Sequence, residues 1–336
     1  MKIAFLVLSH RPPTQLLRLL GSIRSQLPES PVVVHHDVFC TAIDEADLAP
    51  FGNVHLVTSA QPVGWGDYSL VDSSWKALQW MGDHLDFDWV ILLSAQDYPI
   101  KPLNTLQEHL RNLDADALLR ARPISELPEP QRRHARQRYF YHYLPSRLRP
   151  GRNRAKLIRT VARRTLKLPV DIFNNIQPWL AIYKFPDGIP WRLGYRAHRT
   201  PFTRQEPCWF GSAWFGLSRR AVDYLVEYVH EHPEYVQHFR HTVCPDESAT
   251  ATVICNARQL KVESRDLHFV RWTHPESGHP DVLAAGDLQL LAASPAFFAR
   301  KFDIAKDAKI LDELDALIAS RVLELPGHSR GTGPAN

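Results

Sequence analysis

Short apolar runs alternate with amphipathic segments along the first third of the chain, and this alternation constrains the fold more than any other feature. Residues 3–8 and 89–93 are apolar throughout, whereas residues 14–26 carry leucines at helical spacing. Fully apolar strands separated by helices are typical of a parallel sheet that is covered on both faces. The sequence therefore predicts an α/β fold with a mostly parallel central sheet and helices on both faces.

The same patterns predict further elements along the chain. Strands are also expected at residues 32–34, 53–57, 213–217 and 266–271. Helices are also expected at residues 69–85, 103–113, 154–168, 219–230, 246–256, 287–293 and 305–320. Between residues 123 and 207 the regular pattern gives way to a stretch rich in Pro, Arg and aromatic residues.

The length of 336 residues fits one large α/β domain, which we expect to span residues 1–325. We predict that it consists of a nucleotide-binding half, a variable insertion rich in Arg and Pro, and an acceptor-binding and catalytic half, at residues 1–120, 121–207 and 208–325. The tail at 326–336 is rich in Gly, Pro and Ser and is expected to be disordered.

Composition excludes some classes of protein. A net charge of +4 is too small to indicate nucleic-acid binding, so no nucleic-acid partner is expected. The four cysteines lack metal-ligand spacing, and no apolar run is long enough to span a bilayer, so we expect a cytoplasmic chain. Arginines concentrate between residues 120 and 204, which favours anionic partners. The basic helix at 154–168 either contacts the anionic inner membrane face peripherally or is a solvated helix over the active site.

Polar residues follow three of the predicted strands, where parallel sheets bind their ligands. These segments are Ser9-His10, His35-His36-Asp37 and Ser94-Ala-Gln-Asp97. Three further segments carry charged residues that could take part in chemistry: Trp65–Leu70, Cys244–Ser248 and Phe298–Phe302. Each has an ordinary structural explanation when taken singly. Asp246 is a candidate helix N-cap with Glu247 in the first turn, and Asp97 can fix a turn.

Taken together and in order, these segments resemble the core-2/I-branching N-acetylglucosaminyltransferase and peptide xylosyltransferase family. The matching pieces are Ile3-Ala-Phe-Leu-Val-Leu-Ser-His10, Val34-His-His-Asp37, Trp65-Gly-Asp-Tyr-Ser-Leu-Val71, Ile91-Leu-Leu-Ser-Ala-Gln-Asp-Tyr-Pro-Ile100, Gly211-Ser-Ala-Trp-Phe215, Pro245-Asp-Glu-Ser248 and Phe297-Phe-Ala-Arg-Lys-Phe-Asp303. They extend over most of the chain, and only the Arg-rich middle lacks a match.

The resemblance implies a GT-A type fold and an inverting transfer from a UDP-sugar, with GlcNAc or xylose as the sugar. It also implies that no metal or other cofactor is required. Most sugar-nucleotide transferases of this fold hold a divalent ion with an Asp-x-Asp motif, whereas the corresponding strand end here, Ser94-Ala-Gln-Asp97, has one carboxylate. The acceptor is expected to be a saccharide or glycoconjugate, such as a precursor of an envelope polysaccharide.

The resemblance also assigns roles to single residues. Glu247 matches the general base, and Lys301 matches the lysine that stabilises the UDP leaving group, assisted by Arg300 or Arg271. His279 competes with Arg271 for the second diphosphate contact. The remaining donor-side candidates are His10, Asp37, Trp65, Tyr68 and Asp97. The acceptor-side candidates are Ser212, Trp214 and Asp246.

Two alternatives stay open from the sequence. One is a catalytically silent nucleotide-sugar-binding protein of the same fold. The other is a metal-dependent phosphohydrolase that uses His35, His36 and Asp37, although these residues follow a β-branched run that favours a strand.

Overall fold

A seven-stranded sheet forms the centre of the computed structural model, which describes residues 1–144, 169–185, 191–274 and 278–324. Its strand order is β11-β6-β10-β4-β1-β2-β3. The strands are β1 Ile3–Ser9, β2 Val32–His36, β3 Val54–Thr58, β4 Trp89–Ser94, β6 Ala117–Pro123, β10 Trp209–Ser218 and β11 Val262–Glu263.

Most neighbouring strands in this sheet are parallel, as the sequence predicts. The pairs β1–β2, β1–β4, β2–β3 and β6–β11 are parallel, whereas β10 is antiparallel to both β4 and β6. The α/β class and the mainly parallel sheet of the GT-A prediction are therefore confirmed. Strand β6 was not predicted, because Arg120 and Arg122 interrupt its apolar run.

Helices lie before and after the strands, and those at residues 45–48, 131–139, 169–176 and 233–240 were not predicted. They are α1 Thr14–Gln26, α2 Glu45–Leu48, α3 Tyr68–His84, α4 Leu103–Arg111, α5 Gln131–Tyr139, α6 at residues 169–176, α7 Arg219–Glu231, α8 Pro233–Arg240, α9 Ala249–Asn256, α10 Leu288–Ala293 and α11 Lys309–Glu324. The basic helix expected at 154–168 and the tail expected at 326–336 lie outside the described residues. None of the helices in the described part of the chain is both long and apolar enough to cross a bilayer.

Strand β1 shows how the core is divided between the two faces of the sheet. Ala4 and Leu6 point into a cluster that includes apolar residues of α3, α7 and α9. Ile3, Phe5 and Val7 point into a second cluster, with residues of α1, α4 and α11. All five are completely buried. Strands that are covered on both faces must be apolar at every position, which explains the uninterrupted runs in the sequence.

Two small sheets flank the central one. The first, in the order β12-β13-β5, joins His268–Val270 to Phe298–Arg300 and Tyr98–Pro99. The second, in the order β7-β9-β8, joins Tyr141–Tyr143 to Arg192–Arg196 and Leu180–Tyr183. Strands β7, β8 and β9 therefore lie within residues 123–207, the segment in which the sequence pattern is irregular.

Two helix boundaries differ from the expected ones. The helix expected from residue 246 begins at Ala249, and Pro245–Glu247 form a separate 3-10 turn. Asp246 is therefore not a helix N-cap, and Glu247 does not lie in the first turn of an α-helix. The final helix begins at Lys309 rather than near residue 305, because Asp303 and Asp307 hold the preceding loop through their backbone contacts.

Gly211 marks a close approach between two strands of the central sheet. A Cβ atom added to it would lie 1.9 Å from the carbonyl oxygen of Arg120. We predict that Gly211→Ala lowers the free energy of unfolding by about 3 kcal/mol or more, because the two backbones must separate. Gly286→Ala is the matched control, since its added Cβ meets no atom within 4 Å. Equal urea midpoints for the two variants would contradict this prediction.

Candidate active site

The carboxyl ends of β1, β2 and β4 meet at one edge of the sheet, as expected for parallel neighbours. Ser9 lies opposite His36, and Leu8 lies opposite Ser94. The backbone amide of Asp37 donates to the carbonyl oxygen of Ser9 at 2.9 Å. The predicted rim of polar residues is therefore confirmed, and it places His10, Asp37 and the Ser94–Asp97 turn side by side.

Glu247 forms a buried ion pair with Arg138, which comes from helix α5. Arg138 Nη1 donates to Glu247 Oε2 at 2.5 Å, and the arginine side chain is only 11% exposed. Its Nε donates to the hydroxyl of Tyr183 at 2.8 Å, and its guanidinium lies 5.6 Å from the ring centre of Phe210. Burial alone would lower the pKa of Arg138, but Glu247 and its other neighbours hold it well above its usual value. Arg138 thus remains a cation that orients the Glu247 carboxylate.

The turn that carries Asp246 and Glu247 is fastened to the loop before α3. The backbone amide of Cys244 donates to the carbonyl oxygen of Gly66 at 2.9 Å. Gly66 has a φ of +70°, and a Cβ atom there would lie 2.8 Å from the ring of Phe185. Only glycine fits this conformation without strain. Gly66 therefore shapes the loop before α3 and helps to position the turn that carries the candidate base, Glu247.

Asp246 lies beside Glu247 in an unusual environment for a carboxyl group. Its Oδ1 atom is shielded from solvent and has no hydrogen-bond partner among the described residues. Burial, and then the adjacent Glu247 carboxylate, raise the pKa of Asp246 to about 7, against a smaller opposing effect of Arg138 and Arg300. Near neutral pH the Asp246 side chain is therefore present in both its protonated and its ionised form.

This raised pKa predicts a pH-dependent stability. The folded pKa lies above the unfolded value of about 3.9, so the protonated carboxyl stabilises the fold fully below pH 4 and this contribution is lost as pH rises through about 7. Asp246→Asn stays neutral throughout. We expect the stability of the variant relative to wild type to rise by roughly 4 kcal/mol between pH 4 and pH 8. Urea unfolding at a series of pH values measures this, and a constant difference would contradict it.

Asp97 is completely buried, and its carboxylate contacts several other side chains. It accepts hydrogen bonds from the amide and hydroxyl of Ser94 at 2.7 and 2.8 Å. His268 Nε2 and Arg300 Nε each lie 3.3 Å from its oxygens. Burial alone would raise the pKa of Asp97, but Arg300, His268 and Ser94 together hold it below its usual value. Asp97 therefore anchors Arg300.

Arg300 joins the two halves of the site. Its guanidinium carbon lies 4.0 Å from the ring centre of Trp214, which also contacts the ring of His268 at 5.2 Å between centroids. Arg300 interacts electrostatically with Asp246 and with its chain neighbour Lys301. The anchored arginine therefore lies within electrostatic range of the turn that carries the candidate base.

Lys301 lies among other cationic side chains. Burial, followed by the positive charges of Arg11 and Arg300, lowers its pKa. Partial burial and the charges of Lys301 and Arg11 also lower the pKa of His279. The ring of His279 packs edge-on against Trp65, 5.8 Å between centroids. Such a concentration of like charges is costly in the free protein and favours an anionic ligand.

Arg271 is held by two carboxylates, those of Asp281 and Asp287. Its Nε donates to Asp281 at 3.0 Å, and its other two nitrogens donate to the two oxygens of Asp287. The side-chain bonds to Asp287 and Asp281 raise the pKa of Arg271. A guanidinium already engaged in this way is a weaker candidate for the diphosphate than Arg11, which the sequence interpretation did not consider.

Two other sequence candidates, Asp37 and Tyr68, have local structural roles. The Asp37 carboxylate accepts hydrogen bonds from the amides of Phe39 and Val63, both at 3.0 Å, and so fixes the loops above β2. Tyr68 is buried in the core against Trp75. Neither contact supplies a direct link to a nucleotide.

His10, Trp65, Ser212 and Trp214 are all at least partly accessible on this side of the sheet. His10 interacts with Asp37 and Arg11. Ser212 and Trp214 lie within a bulge of β10, where the hydroxyl of Ser212 accepts from the amide of Trp214 at 3.3 Å.

The residues proposed for a phosphohydrolase have other partners. His36 Nε2 lies 2.8 Å from the carbonyl oxygen of Thr41, and His35 Nε2 lies 3.4 Å from the hydroxyl of Ser59. The described residues contain no cluster of three or more His, Cys, Asp or Glu side chains arranged to hold a metal ion. His35 and His36, at the end of β2, are therefore each bound to other groups of the protein.

Sequence reasoning missed Arg138, Arg11 and His268. Arg138 is one of four arginines in α5, and its spacing does not distinguish it from Arg132, Arg133 or Arg136. Arg11 was recognisable in principle, because it directly follows the polar pair at the end of β1. His268 occupies the first position of a three-residue strand, which is too short to predict an orientation.

The chain is similar to characterised proteins over most of its length. It is 28% identical to beta-glucuronosyltransferase GlcAT14B of Arabidopsis thaliana, over 89% of this chain and 63% of that protein. It is 26% identical to xylosyltransferase oxt of Drosophila melanogaster, over 94% of this chain and 33% of that protein. The chain thus spans less than two thirds of either relative. The S. aureus TarS structure with UDP aligns at a TM-score of 0.36 and 13% identity, over 97% of this chain and 67% of that one.

A family model provides the assignment. The core-2/I-branching enzyme model matches residues 3–167 and 190–292, a range that contains Asp97, Arg138 and Glu247 and ends before Arg300 and Lys301. It covers well over half of the chain, and it agrees with the resemblance that the sequence motifs carry. The chain belongs to the core-2/I-branching enzyme family.

Proposed function

We propose that this chain is an inverting glycosyltransferase that moves a sugar from UDP to a hydroxyl group of a saccharide or glycoconjugate, without a metal ion. One observation carries the proposal. Arg300, which is next to Lys301 in the chain, interacts electrostatically with Asp246, so the cations around Lys301 and the Asp246–Glu247 turn lie within electrostatic range of each other. A transferase needs a cation for the departing diphosphate and a carboxylate for the attacking hydroxyl. The names of the relatives supply the substrate class.

Glu247 acts as the general base in this mechanism. It takes the proton from the acceptor hydroxyl while that oxygen bonds to the anomeric carbon and the bond from this carbon to UDP breaks. The electron pair of the broken bond passes to the diphosphate oxygen. Attack and departure occur on opposite sides of the carbon, so its configuration inverts. Arg138 holds the Glu247 carboxylate in place. Its guanidinium donates hydrogen bonds both to the Tyr183 hydroxyl and to this carboxylate.

Lys301 stabilises the charge that develops on the UDP leaving group, together with Arg300 and Arg11. Burial, and then the positive charges of Arg11 and Arg300, lower the pKa of Lys301, and a bound diphosphate would relieve the repulsion among these cations. Asp97 supports the metal-free mechanism, because its carboxylate is already bound to Arg300 and His268. Trp214 and Ser212 provide an acceptor surface next to Asp246, and Trp65 borders the donor side.

Calorimetric titration of UDP tests this function. We expect the purified chain to bind UDP in EDTA and to bind it no more than about twofold tighter when manganese replaces EDTA. A panel of UDP-GlcNAc, UDP-xylose and UDP-glucuronic acid then identifies the donor, the third being included because two relatives are named glucuronosyltransferases. No UDP binding under either condition would remove the donor assignment. Binding only with manganese would overturn the metal-free mechanism.

The positioning role of Arg138 gives a separate prediction. We expect Arg138→Met to lower kcat about 100-fold with little change in UDP affinity, because Glu247 loses the partner that orients it. Arg138→Lys keeps the charge but not the paired contacts, and should recover part of the rate. Arg136→Met, at an exposed position of the same helix, is the control. If Arg138→Met lost as much UDP affinity as kcat, the substitution would instead have disrupted the site as a whole.

A further inference from the structure

Tyr139 gives helix α5 a second contact with the turn that carries Glu247. It directly follows Arg138 and is completely buried. Its hydroxyl donates to the carbonyl oxygen of Cys244, the residue before that turn, at 2.9 Å. The last two residues of α5 therefore both reach the turn, Arg138 through the Glu247 carboxylate and Tyr139 through the backbone. The orientation of Glu247 thus depends on where the end of α5 is held.

Two histidines lie against this end of α5. His238, from α8, is 5% exposed, and its Nε2 atom lies 2.9 Å from the carbonyl oxygen of Tyr139. His142, from β7, places its Nε2 atom 3.0 Å from Nδ1 of His238. The ring of Phe202 stands perpendicular to the His238 ring, 5.2 Å between centroids. The two imidazoles are therefore bound in series to the backbone of Tyr139.

The direction of these hydrogen bonds follows from the groups that form them. A carbonyl oxygen can only accept, so Nε2 of His238 must carry a hydrogen. Burial lowers the pKa of His238 to about 4, so near neutral pH the ring has no second hydrogen and its Nδ1 atom accepts. His142 is then the donor. The bonds run from His142 through His238 to the Tyr139 carbonyl, so a change at His142 also affects the end of α5.

The carbonyl group of Tyr139 needs a donor from outside its own helix. Helix α5 ends at Tyr139, and the last carbonyl groups of a helix have no donor within it. The contact with His238 is buried, so solvent water does not replace it. A buried carbonyl without a donor is costly, and its loss would shift the helix end toward another donor. A displacement of about 1 Å at a catalytic group lowers a rate by up to about 100-fold.

We propose that His238 and His142 are positioning residues for the general base. They hold the end of α5, so that Arg138 and Tyr139 keep the Glu247 turn in the orientation that proton transfer requires. Neither histidine needs to touch a substrate for this role. The role rests on the proposed function, because Glu247 acts as the base only there.

His238→Leu removes the donor to the Tyr139 carbonyl. We expect it to lower kcat about 30-fold while UDP affinity stays within a factor of two. His238→Gln has a side-chain amide that can donate in place of Nε2, and should recover kcat to within about fivefold of wild type. His230→Leu, at an exposed position of α7, is the control and should keep the wild-type kcat. UDP release measures kcat, and calorimetry measures UDP affinity.

A second substitution separates positioning from a general loss of stability. In a Glu247→Gln protein the base is absent, so its orientation no longer matters. Adding His238→Leu to this protein should lower kcat by less than about twofold. A substitution that loosened the whole fold would lower kcat by a similar factor in both backgrounds, and that result would overturn the proposal.

His142→Phe is the alternative test if thermal unfolding shows that His238→Leu is not folded. It keeps an aromatic ring against Tyr195 and His241 but removes the donor to His238, and should lower kcat about fivefold. If Glu247→Gln is slow, wild-type kcat in either folded histidine variant would overturn the positioning role alone. Wild-type kcat in Glu247→Gln would instead remove the proposed base, and the positioning role with it.

Discussion

Glu247→Gln is expected to lower kcat about 1,000-fold while UDP affinity stays within a factor of two. The amide of glutamine cannot accept the proton of the acceptor hydroxyl, but it still fits beside Arg138 and can accept its hydrogen bond. The loss therefore falls on the chemical step and not on donor binding. Turnover of the UDP-sugar is measured by UDP release, and UDP affinity by calorimetry.

Two controls make this result specific to the base. Glu231→Gln changes an exposed glutamate at the end of α7 and should leave kcat unchanged. Because removing one charge of a buried pair destabilises a protein, the thermal unfolding of Glu247→Gln must be recorded as well. A folded variant with wild-type kcat would show that another group takes the proton, and Asp246 is the nearest carboxyl. A wild-type protein that binds UDP but transfers nothing would identify a catalytically silent binder.

Lys301→Ala is expected to weaken UDP binding about 100-fold in EDTA. The lysine supplies a partly buried positive charge in a group of cations, where the diphosphate oxygens of UDP would be desolvated. Such a contact is far stronger than one at an exposed surface. Calorimetry, or displacement of a fluorescent UDP analogue, measures the change.

Lys306→Ala is the matched control, because Lys306 is exposed and lies in the same loop. It should change UDP affinity less than threefold. Equal losses in the two variants would indicate a general electrostatic attraction rather than a specific contact at Lys301. An unchanged affinity in Lys301→Ala would instead leave Arg300 and Arg11 as the cations that bind the diphosphate.

Much of the fold could be predicted from the hydrophobic pattern, because strands buried on both faces form uninterrupted apolar runs in the sequence. β1 and β4 are apolar up to their final serines, and α1 has the predicted bounds. β6 was missed since two arginines alternate with its buried residues. The antiparallel orientation of β10 could not be predicted from local spacing, which carries no information on strand direction.

Only part of the candidate site could be predicted from the sequence. The motif around Glu247 was recognised, but its predicted place in the first turn of a helix was wrong, because the residue lies in a 3-10 turn, where it pairs with Arg138. That pair joins residues separated by 109 positions. Likewise, Asp97 appeared as a donor-pocket residue, whereas the fold surrounds it with His268 and Arg300. Contacts of this kind depend on tertiary packing, which single-sequence patterns do not encode.

The anomeric configuration of the first product tests the central claim most directly. The purified chain is incubated in EDTA with the UDP-sugar it binds, and the sugar released to water or to an acceptor is followed by proton NMR before it mutarotates. The account predicts a product of inverted configuration, β from an α-linked donor, and loss of its formation in Glu247→Gln. A product that retains the donor configuration would contradict the single displacement with Glu247 as base.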